Sequence, residues 1–396
     1  MISLYFHIPF CYKKCNYCNF YIIPTNNIPN IDEYKDLYLE ALKNDINFQL
    51  ERFNIQNAKV KTIYFWWWTP SELWINRLKD LINLLSKKFD LSNIEEFSFE
   101  INPLLSNNKP NDTLKFIDEI SKLFYWKSRI SIWIQSLNNE LLAFSWRNYE
   151  IDTINYLLNN LKANNIVINL DFISFWLEKF FDNNYFGVFD NFVKKYYDKI
   201  DSYSIYTLEL YPWSIFWNNE KLKKLINFKW NIEKNILENF KKYLFILEKN
   251  KYLRYEISNF SKKNKYSKHN VVYWNMEPYL WFWVSASWYV SNNFTNSKFW
   301  IRYTNSFSIQ KYLKNQFEFQ EYKELEYVEY LQEKVFLWLR QTKWIKLTKE
   351  IKQVLNITKL NQLVNDGFLH YKNKAISFTK KWFDVYNYIV TEILEF

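Results

Sequence analysis

Glycine is nearly missing from this chain. Gly187 and Gly367 are the only two among 396 residues. An ordinary share of about 7% would give roughly 28. A chain of this size needs glycine wherever a turn takes positive φ or backbone must approach closely. The shortage excludes either an ordinary set of turns or an ordinary reading of the gene. Cysteine is also scarce, with Cys11, Cys15 and Cys18 alone. An odd number of thiols makes a poor disulfide framework. Uninterrupted apolar runs are absent as well: none approaches the ~20 residues of a membrane span, so no transmembrane segment is expected. A strand-like run starts within a few residues of Met1, and no signal peptide is expected. Free thiols without an export signal point to a reducing cytoplasm.

Tryptophan stands where glycine is wanted. There are 19. Trp66-Trp67-Trp68-Thr69-Pro70 falls between a predicted strand and a predicted helix, in a loop that calls for permissive backbone. One reading is a chain that is truly rich in aromatics. The other is a gene whose UGA codons mean glycine and become tryptophan under the standard code. The abundance of Lys, Asn, Ile, Phe and Tyr suits an A/T-rich genome in which such recoding occurs. On that reading most tryptophans mark glycine positions, with Trp274 an exception. The net charge is +10 with a pI near 9.0. The lysines are spread, so the charge leans only toward acidic partners such as phosphates. It forms no nucleic-acid face.

The cysteines are spaced C-x3-C-x2-C just after the apolar run Ile2 to Ile8, which reads as a strand ended by Pro9. Three thiolates are too few for a closed four-ligand zinc site. They suit a [4Fe–4S] cluster with one iron left open to a non-protein ligand. Zinc completed by His7, or a chance group of buried thiols, is the alternative. An open iron can chelate the amino and carboxylate groups of S-adenosylmethionine, whose sulfonium one electron then cleaves.

Further strands are predicted at Lys61–Phe65, Glu96–Ile101, Arg129–Ile134, Ile166–Ile173 and Tyr203–Leu208. Helices at 34–42, Leu73–Lys88, Thr113–Leu123, Asn138–Phe144, Ile151–Asn164 and Tyr185–Lys199 alternate with them. Six βα units predict a parallel α/β sheet, short of a full eight-unit barrel. From about 230 the pattern changes. Ile236–Asn250 reads as a helix, and 252–290 as irregular chain rich in Tyr, Ser and Asn. From Leu325 the chain is helical again. A short helix Leu360–Asp366 and an alternating run His370–Thr379 follow, which suggests a small winged-helix-like module. It reads as a packing or lid element, since no arginine-rich recognition face is visible.

The run Tyr5-Phe6-His7-Ile8-Pro9-Phe10-Cys11 with its two later cysteines resembles the signature of radical S-adenosylmethionine proteins. The flanks resemble one branch, the oxygen-independent coproporphyrinogen III oxidases and the HemW-type haem chaperones. Later segments extend the resemblance. Trp66-Trp67-Trp68-Thr69-Pro70-Ser71 resembles Gly-Gly-Gly-Thr-Pro-Ser. Glu100-Ile101-Asn102-Pro103 resembles Glu-x-(Asn/Asp)-Pro. Arg129 to Ser136 resembles Arg-x-Ser-x-Gly-x-Gln-Ser, and Trp146-Arg147 resembles Gly-Arg. Asn169-Leu170-Asp171-Phe172-Ile173 resembles Asn-x-Asp-x-Ile. His269-Asn270-Val271-Val272-Tyr273-Trp274 resembles the His-Asn-x-x-Tyr-Trp of the chaperone branch, and Leu280 to Ala286 a glycine-rich turn.

The resemblance implies an α/β fold, a partial (β/α)6 barrel with a C-terminal α+β winged-helix-like domain. It divides the chain into a core at 1–230, a substrate or haem-binding extension at 231–310, and the tail domain at 311–396. It implies that Cys11, Cys15 and Cys18 hold the [4Fe–4S] cluster. Tyr5, Trp67, Trp68, Thr69, Glu100, Gln135, Arg147 and Asp171 would serve S-adenosylmethionine, and His269 haem as cargo. No catalytic residue is assigned. An electron donor and haem-accepting respiratory apoproteins are the implied partners. Two functions compete, a haem chaperone and a coproporphyrinogen III oxidase. Oxidases resemble C-x3-C-x2-C-x-C, and here the last position is Phe20. The oxidases' N-terminal extension is also missing from this sequence. Both points favour the chaperone.

Overall fold

The structure is a computed structural model that describes residues 1–67, 74–105, 109–123, 127–162, 165–209, 211, 214–218, 229–284, 286–290, 300–380 and 386–394. Six strands run parallel in chain order: β1 (Ile2–Ile8), β2 (Val60–Trp67), β3 (Glu96–Ile101), β4 (Ser128–Gln135), β5 (Val167–Ser174) and β6 (Ser202–Thr207). Period-two alternation sets their faces. In β1, Ile2, Leu4, Phe6 and Ile8 are wholly buried in the main core. Tyr5 and His7 point to the other side, into the barrel.

Helices cross between successive strands at Ile31–Arg52, Trp74–Lys88, Pro110–Leu123, Ile151–Asn160 and Tyr185–Lys195. Each buries one stripe. Leu78, Leu81 and Leu85 of the second are at most 1% exposed, at the spacing of one helix face. Truncating Leu85 to alanine there costs about 3 kcal/mol. The predicted helix that started at Leu73 starts at Trp74, and Leu73 itself lies outside the described residues.

The region 252–290, expected to be irregular, is largely ordered. It contributes β7 (Leu253–Arg254), β8 (Asn259–Ser261), a helix Lys268–Trp274, β9 (Tyr279–Phe282) and β10 (Ser287–Val290). With β11 (Trp300–Asn305) and β12 (Phe319–Leu325) they extend the sheet. Its order among the described residues is β12-β11-β10-β9-β1-β2-β3-β4-β5-β6-β8-β7. β9 pairs parallel with β1, whereas β10, β11 and β12 follow antiparallel. These strands are short or exposed on one face, and their Tyr, Ser and Asn content hid the alternation. Leu325, expected to open a helix, instead closes β12.

The tail has its own apolar core, in which Leu331, Val335, Leu360, Ile376 and Ile389 are buried. Helices Tyr327–Trp338 and Ile357–Asn365 pack on a three-stranded antiparallel sheet, ordered Ile345–Lys346, Ala375–Phe378, Leu369–Lys372. Glu326 and Glu329 form a capping box at the start of the first helix, which satisfies two otherwise orphaned backbone donors. The result is a partial α/β barrel with a winged-helix-like tail. Among the described residues no helix is long and apolar enough to cross a membrane.

Candidate functional site

The inward faces of β1 and β2, with the helix Lys268–Trp274 and β9, enclose a cavity of about 390 Å³. Tyr5 and His7 of β1 line it beside Tyr64 and Trp66 of β2, because both strands alternate in register (Tyr5 opposite Tyr64, His7 opposite Trp66). Glu100 enters from the end of β3, Tyr206 from β6, and His269 and Tyr273 from the helix. The walls are mostly aromatic. Tyr5 stacks on Tyr64 at 5.9 Å, and Tyr64 on His269 at 4.8 Å.

One side of the cavity adjoins the cysteine loop. Cys11, Cys15 and Cys18 are all buried in one apolar cluster with Tyr17, Trp133 and Leu141. Burial, and next the nearby Cys15, push the Cys18 thiol up to about 12. Arg147 lies beside this group. Burial works against its charge, but Cys15, Tyr149 and Cys11 hold the cation firmly enough that it stays above its ordinary value. Its donors are all placed: Nε to Gln135 Oε1 at 2.5 Å, Nη1 to Asn102 Oδ1 at 3.0 Å and Nη2 to the Tyr17 hydroxyl at 3.1 Å. Gln135 also donates to Tyr17. Sequence alone did not single out Tyr17 or give Asn102 this role. Tyr17 sits inside the C-x3-C-x2-C run and Asn102 inside Glu-x-Asn-Pro, so the motifs themselves contained the signal.

Glu100 is 5% exposed. Its Oε1 accepts from the Tyr64 hydroxyl at 2.5 Å and its Oε2 from Trp133 Nε1 at 2.8 Å. Asp171 lies deeper, among Ser131 and Asn169. Burial raises its carboxyl to about 6, and it does not line the cavity. Trp68 and Thr69 lie outside the described residues; Trp67 ends β2.

The other side is built around His269, which is 1% exposed. Ser267 caps its helix, accepting from Asn270 N. Glu96 accepts from the backbone N–H groups of Lys268 and His269 at 2.8 and 3.1 Å, a carboxylate at a helix N-terminus. The ring is fixed on both edges. Thr62 donates its hydroxyl proton to Ser3, so Nδ1 of His269 donates to Thr62 Oγ1 at 2.7 Å. Nε2 then accepts from the Tyr273 hydroxyl at 2.6 Å. Burial lowers this imidazole to about 3 and keeps it neutral. His7 is similar: burial lowers it to about 4, and its Nε2 sits 3.2 Å from the Tyr21 carbonyl.

The chain matches the Radical SAM superfamily over residues 5–177. It is 31% identical to the heme chaperone HemW of Buchnera aphidicola subsp. Acyrthosiphon pisum, over 70% of this chain and 68% of that one. The HemW of Lactococcus lactis matches at 28% over 99% of this chain and 97% of its own length. This chain belongs to the radical SAM family, in its HemW-like branch. The oxygen-independent coproporphyrinogen III oxidase of Salmonella typhimurium matches at 28%, but over 41% of this chain and 32% of the oxidase. A solved radical SAM enzyme, the coproporphyrinogen III oxidase of Escherichia coli, shares the fold with a TM-score of 0.73. That match covers 99% of this chain and 89% of the other at 17% identity.

The family implies a [4Fe–4S] cluster and S-adenosylmethionine, and the two fare differently here. The donor set suits the cluster. The three thiols share one buried cluster, and a bound metal centre would draw off the proton that burial keeps on Cys18. They are not closed around a point, and among the described residues no three His, Cys, Asp or Glu are grouped tightly enough to hold a single metal ion. The nucleoside side does not suit the cofactor as the chain stands. The indoles of Trp66, Trp281 and Trp283 line the cavity, and Trp133 occupies a carboxylate oxygen of Glu100.

Proposed function

We propose that this chain is a haem chaperone, which holds haem in the aromatic cavity and passes it to apoproteins, respiratory ones among them. The observation that carries the reading is the His269 wall. His269, Asn270 and Tyr273 of the His-Asn-x-x-Tyr-Trp segment form one face of a cavity whose other walls include the rings of Tyr5, His7, Tyr64 and Tyr206, with Glu100 at one edge. A flat, largely apolar macrocycle is held by such faces, with a few polar groups fixing its orientation. Phe20 supports the reading. It lines the cavity, at the position where the oxidase pattern has a further cysteine. On this reading Cys11, Cys15 and Cys18 hold the [4Fe–4S] cluster. The protein works in the cytoplasm, where the thiols stay reduced and an electron donor can reach the cluster. Tyr5, Glu100, Gln135 and Arg147 are assigned to the S-adenosylmethionine side, with Asp171 supporting them from below and His269 on the haem side.

The experiment is anaerobic reconstitution followed by two assays on the same preparation. Haem titration, followed by Soret absorbance, should saturate at one haem per chain. Incubation with coproporphyrinogen III, S-adenosylmethionine and a reductant should give no decarboxylated product. Turnover without haem binding would overturn the proposal.

A further inference from the structure

We infer that the natural chain carries glycine, not tryptophan, at positions 66, 133, 146, 281 and 283, a UGA codon being decoded as glycine. The misfit between the S-adenosylmethionine side and its own family is then a property of five side chains and not of the site.

Trp283 is the decisive position. It follows β9 at φ +149°. Thirteen described residues other than glycine have positive φ, and seven are asparagines in the ordinary left-handed region. Asparagine reaches that region at little cost. A φ of +149° lies beyond it, in backbone that side chains with a Cβ avoid. The indole is also 2% exposed, wedged 5.0 Å from the Tyr38 ring and 5.1 Å from Tyr312, and its buried Nε1 has no hydrogen-bond partner. A missing partner alone decides nothing, since Trp274 Nε1 lacks one too. Trp274, however, ends a right-handed helix with Arg340 4.6 Å above its ring. It stays tryptophan.

Trp146 gives a second, independent line. The helix Asn139–Phe144 ends in a Schellman turn: Trp146 N bonds Ala143 O, Arg147 N bonds Leu142 O, and Trp146 takes φ +63°. That position favours glycine. The helix Ile357–Asn365 ends the same way, with Gly367 N on Val364 O, Phe368 N on Leu363 O, and Gly367 at φ +76°. Lys251 and Met276 show that other residues can serve in such a turn. The weight at 146 therefore comes from the turn and the Gly-Arg resemblance together.

Trp133, Trp66 and Trp281 are assigned by what their rings occupy. Trp133 lies flat against Tyr206 (5.9 Å, 5°) and takes Glu100 Oε2. Without the indole that oxygen faces the space a ribose hydroxyl would need, while Tyr64 keeps Oε1. Trp281 covers Tyr5 at 4.5 Å, and Trp66 covers His7 at 4.6 Å. Glycine at these positions frees the space around Tyr5, His7, Tyr206 and Glu100 for an adenine nucleoside. This inference rests on membership of the radical SAM family and stands apart from the haem reading.

Tandem mass spectrometry of the protein from its own cells is the direct test. Tryptic peptide 269–298 contains positions 274, 281 and 283 together and so carries its own control. The expected reading is tryptophan at 274 with glycine at 281 and 283. Tryptophan at all three overturns the inference. As a second test, the chain is made in a standard host with tryptophan and with glycine at 66, 133, 146, 281 and 283. Equilibrium dialysis of radiolabelled S-adenosylmethionine against each should show at least tenfold tighter binding by the glycine chain, and its thermal midpoint should be higher. Equal binding by the two chains overturns the role assigned to the indoles.

Discussion

The buried cysteine cluster and the His269 face of the cavity differ in how they treat charge. On the cysteine side a guanidinium is buried beside three thiols, and each of its donor groups has a partner. On the other side the rings of His269, Tyr273 and Tyr64 are uncharged, with both histidines that line the cavity pushed well below their ordinary range by burial and with the carboxylates Glu96 and Glu100 beneath them taken up by N–H and O–H donors. An isolated charge is costly to bury unless it is paired. The cysteine side therefore needs a negative partner, which cluster-bound thiolates supply, whereas the neutral side suits the face of an uncharged ring. On the proposed function, contact with a metal centre falls to the cysteine cluster and contact with a macrocycle to the His269 face.

The largest expected effect is on the cysteine side. Cys18→Ala should abolish iron loading after anaerobic reconstitution, because two thiolates cannot hold the cluster. Haem affinity should stay within about twofold. Loss of haem binding in the same variant would break the division between the walls. Arg147→Ala comes next. It strands acceptors on Gln135, Asn102 and Tyr17 and removes the cation beside the thiols, so unfolding in urea should show a loss of about 2 kcal/mol. Haem binding should again be spared.

On the neutral side the variants reverse the pattern. Tyr273→Phe and His269→Ala should each weaken haem binding about tenfold, or about 1.4 kcal/mol, with iron content unchanged. Because both ring nitrogens of His269 are already engaged, the two substitutions should not be additive. Additive losses would mean that His269 meets the haem by itself.

Much of this arrangement was legible in the sequence. The six barrel strands announced themselves as short β-rich runs between amphipathic helices, because their outward faces keep an unbroken apolar alternation while the polar residues gather on the inward face. The cysteine loop was legible because its chemistry is local. The strands from 253 to 325 were not, since β12 is exposed along most of its length and its face alternation carries little apolar signal. The polar clamp on Arg147 was hidden for another reason. Asn102 and Tyr17 lie 45 and 130 positions from it in sequence, and only the closing of the sheet brings them together. Depth was also invisible. Asp171 and Glu100 both read as acids on inward-facing strands, yet one lies against Ser131 and Asn169 and the other lines the cavity. Sequence likewise named His269 without showing that Thr62 and Tyr273 take both of its nitrogens.

The last test probes the neutrality of the His269 ring through pH. A histidine in the unfolded chain titrates near 6.5. In the folded protein burial lowers His269 to about 3. Between these values the unfolded chain binds a proton that the folded chain refuses, so stability rises with pH across this window and is lost as pH falls through it. From pH 7 to pH 5 the loss for this one group is about 2 kcal/mol, at about 1.4 kcal/mol per unit once the unfolded histidine is mostly charged. His7, lowered by burial to about 4, contributes in the same direction. His269→Gln keeps an amide beside Tyr273 and has no proton to take up. Its stability at pH 7 should be lower, through the disturbed contacts with Thr62 and Tyr273, but it should fall by about 2 kcal/mol less between pH 7 and pH 5. Arg147→Lys, which leaves a charged group on the opposite wall throughout this range, should keep the wild-type slope. Urea unfolding of the three proteins at pH 5, 6 and 7 makes the comparison. Equal slopes in wild type and His269→Gln would mean that His269 takes up its proton in the folded protein. The His269 face would then carry a positive charge as the Arg147 cluster does, and the contrast between them would fail.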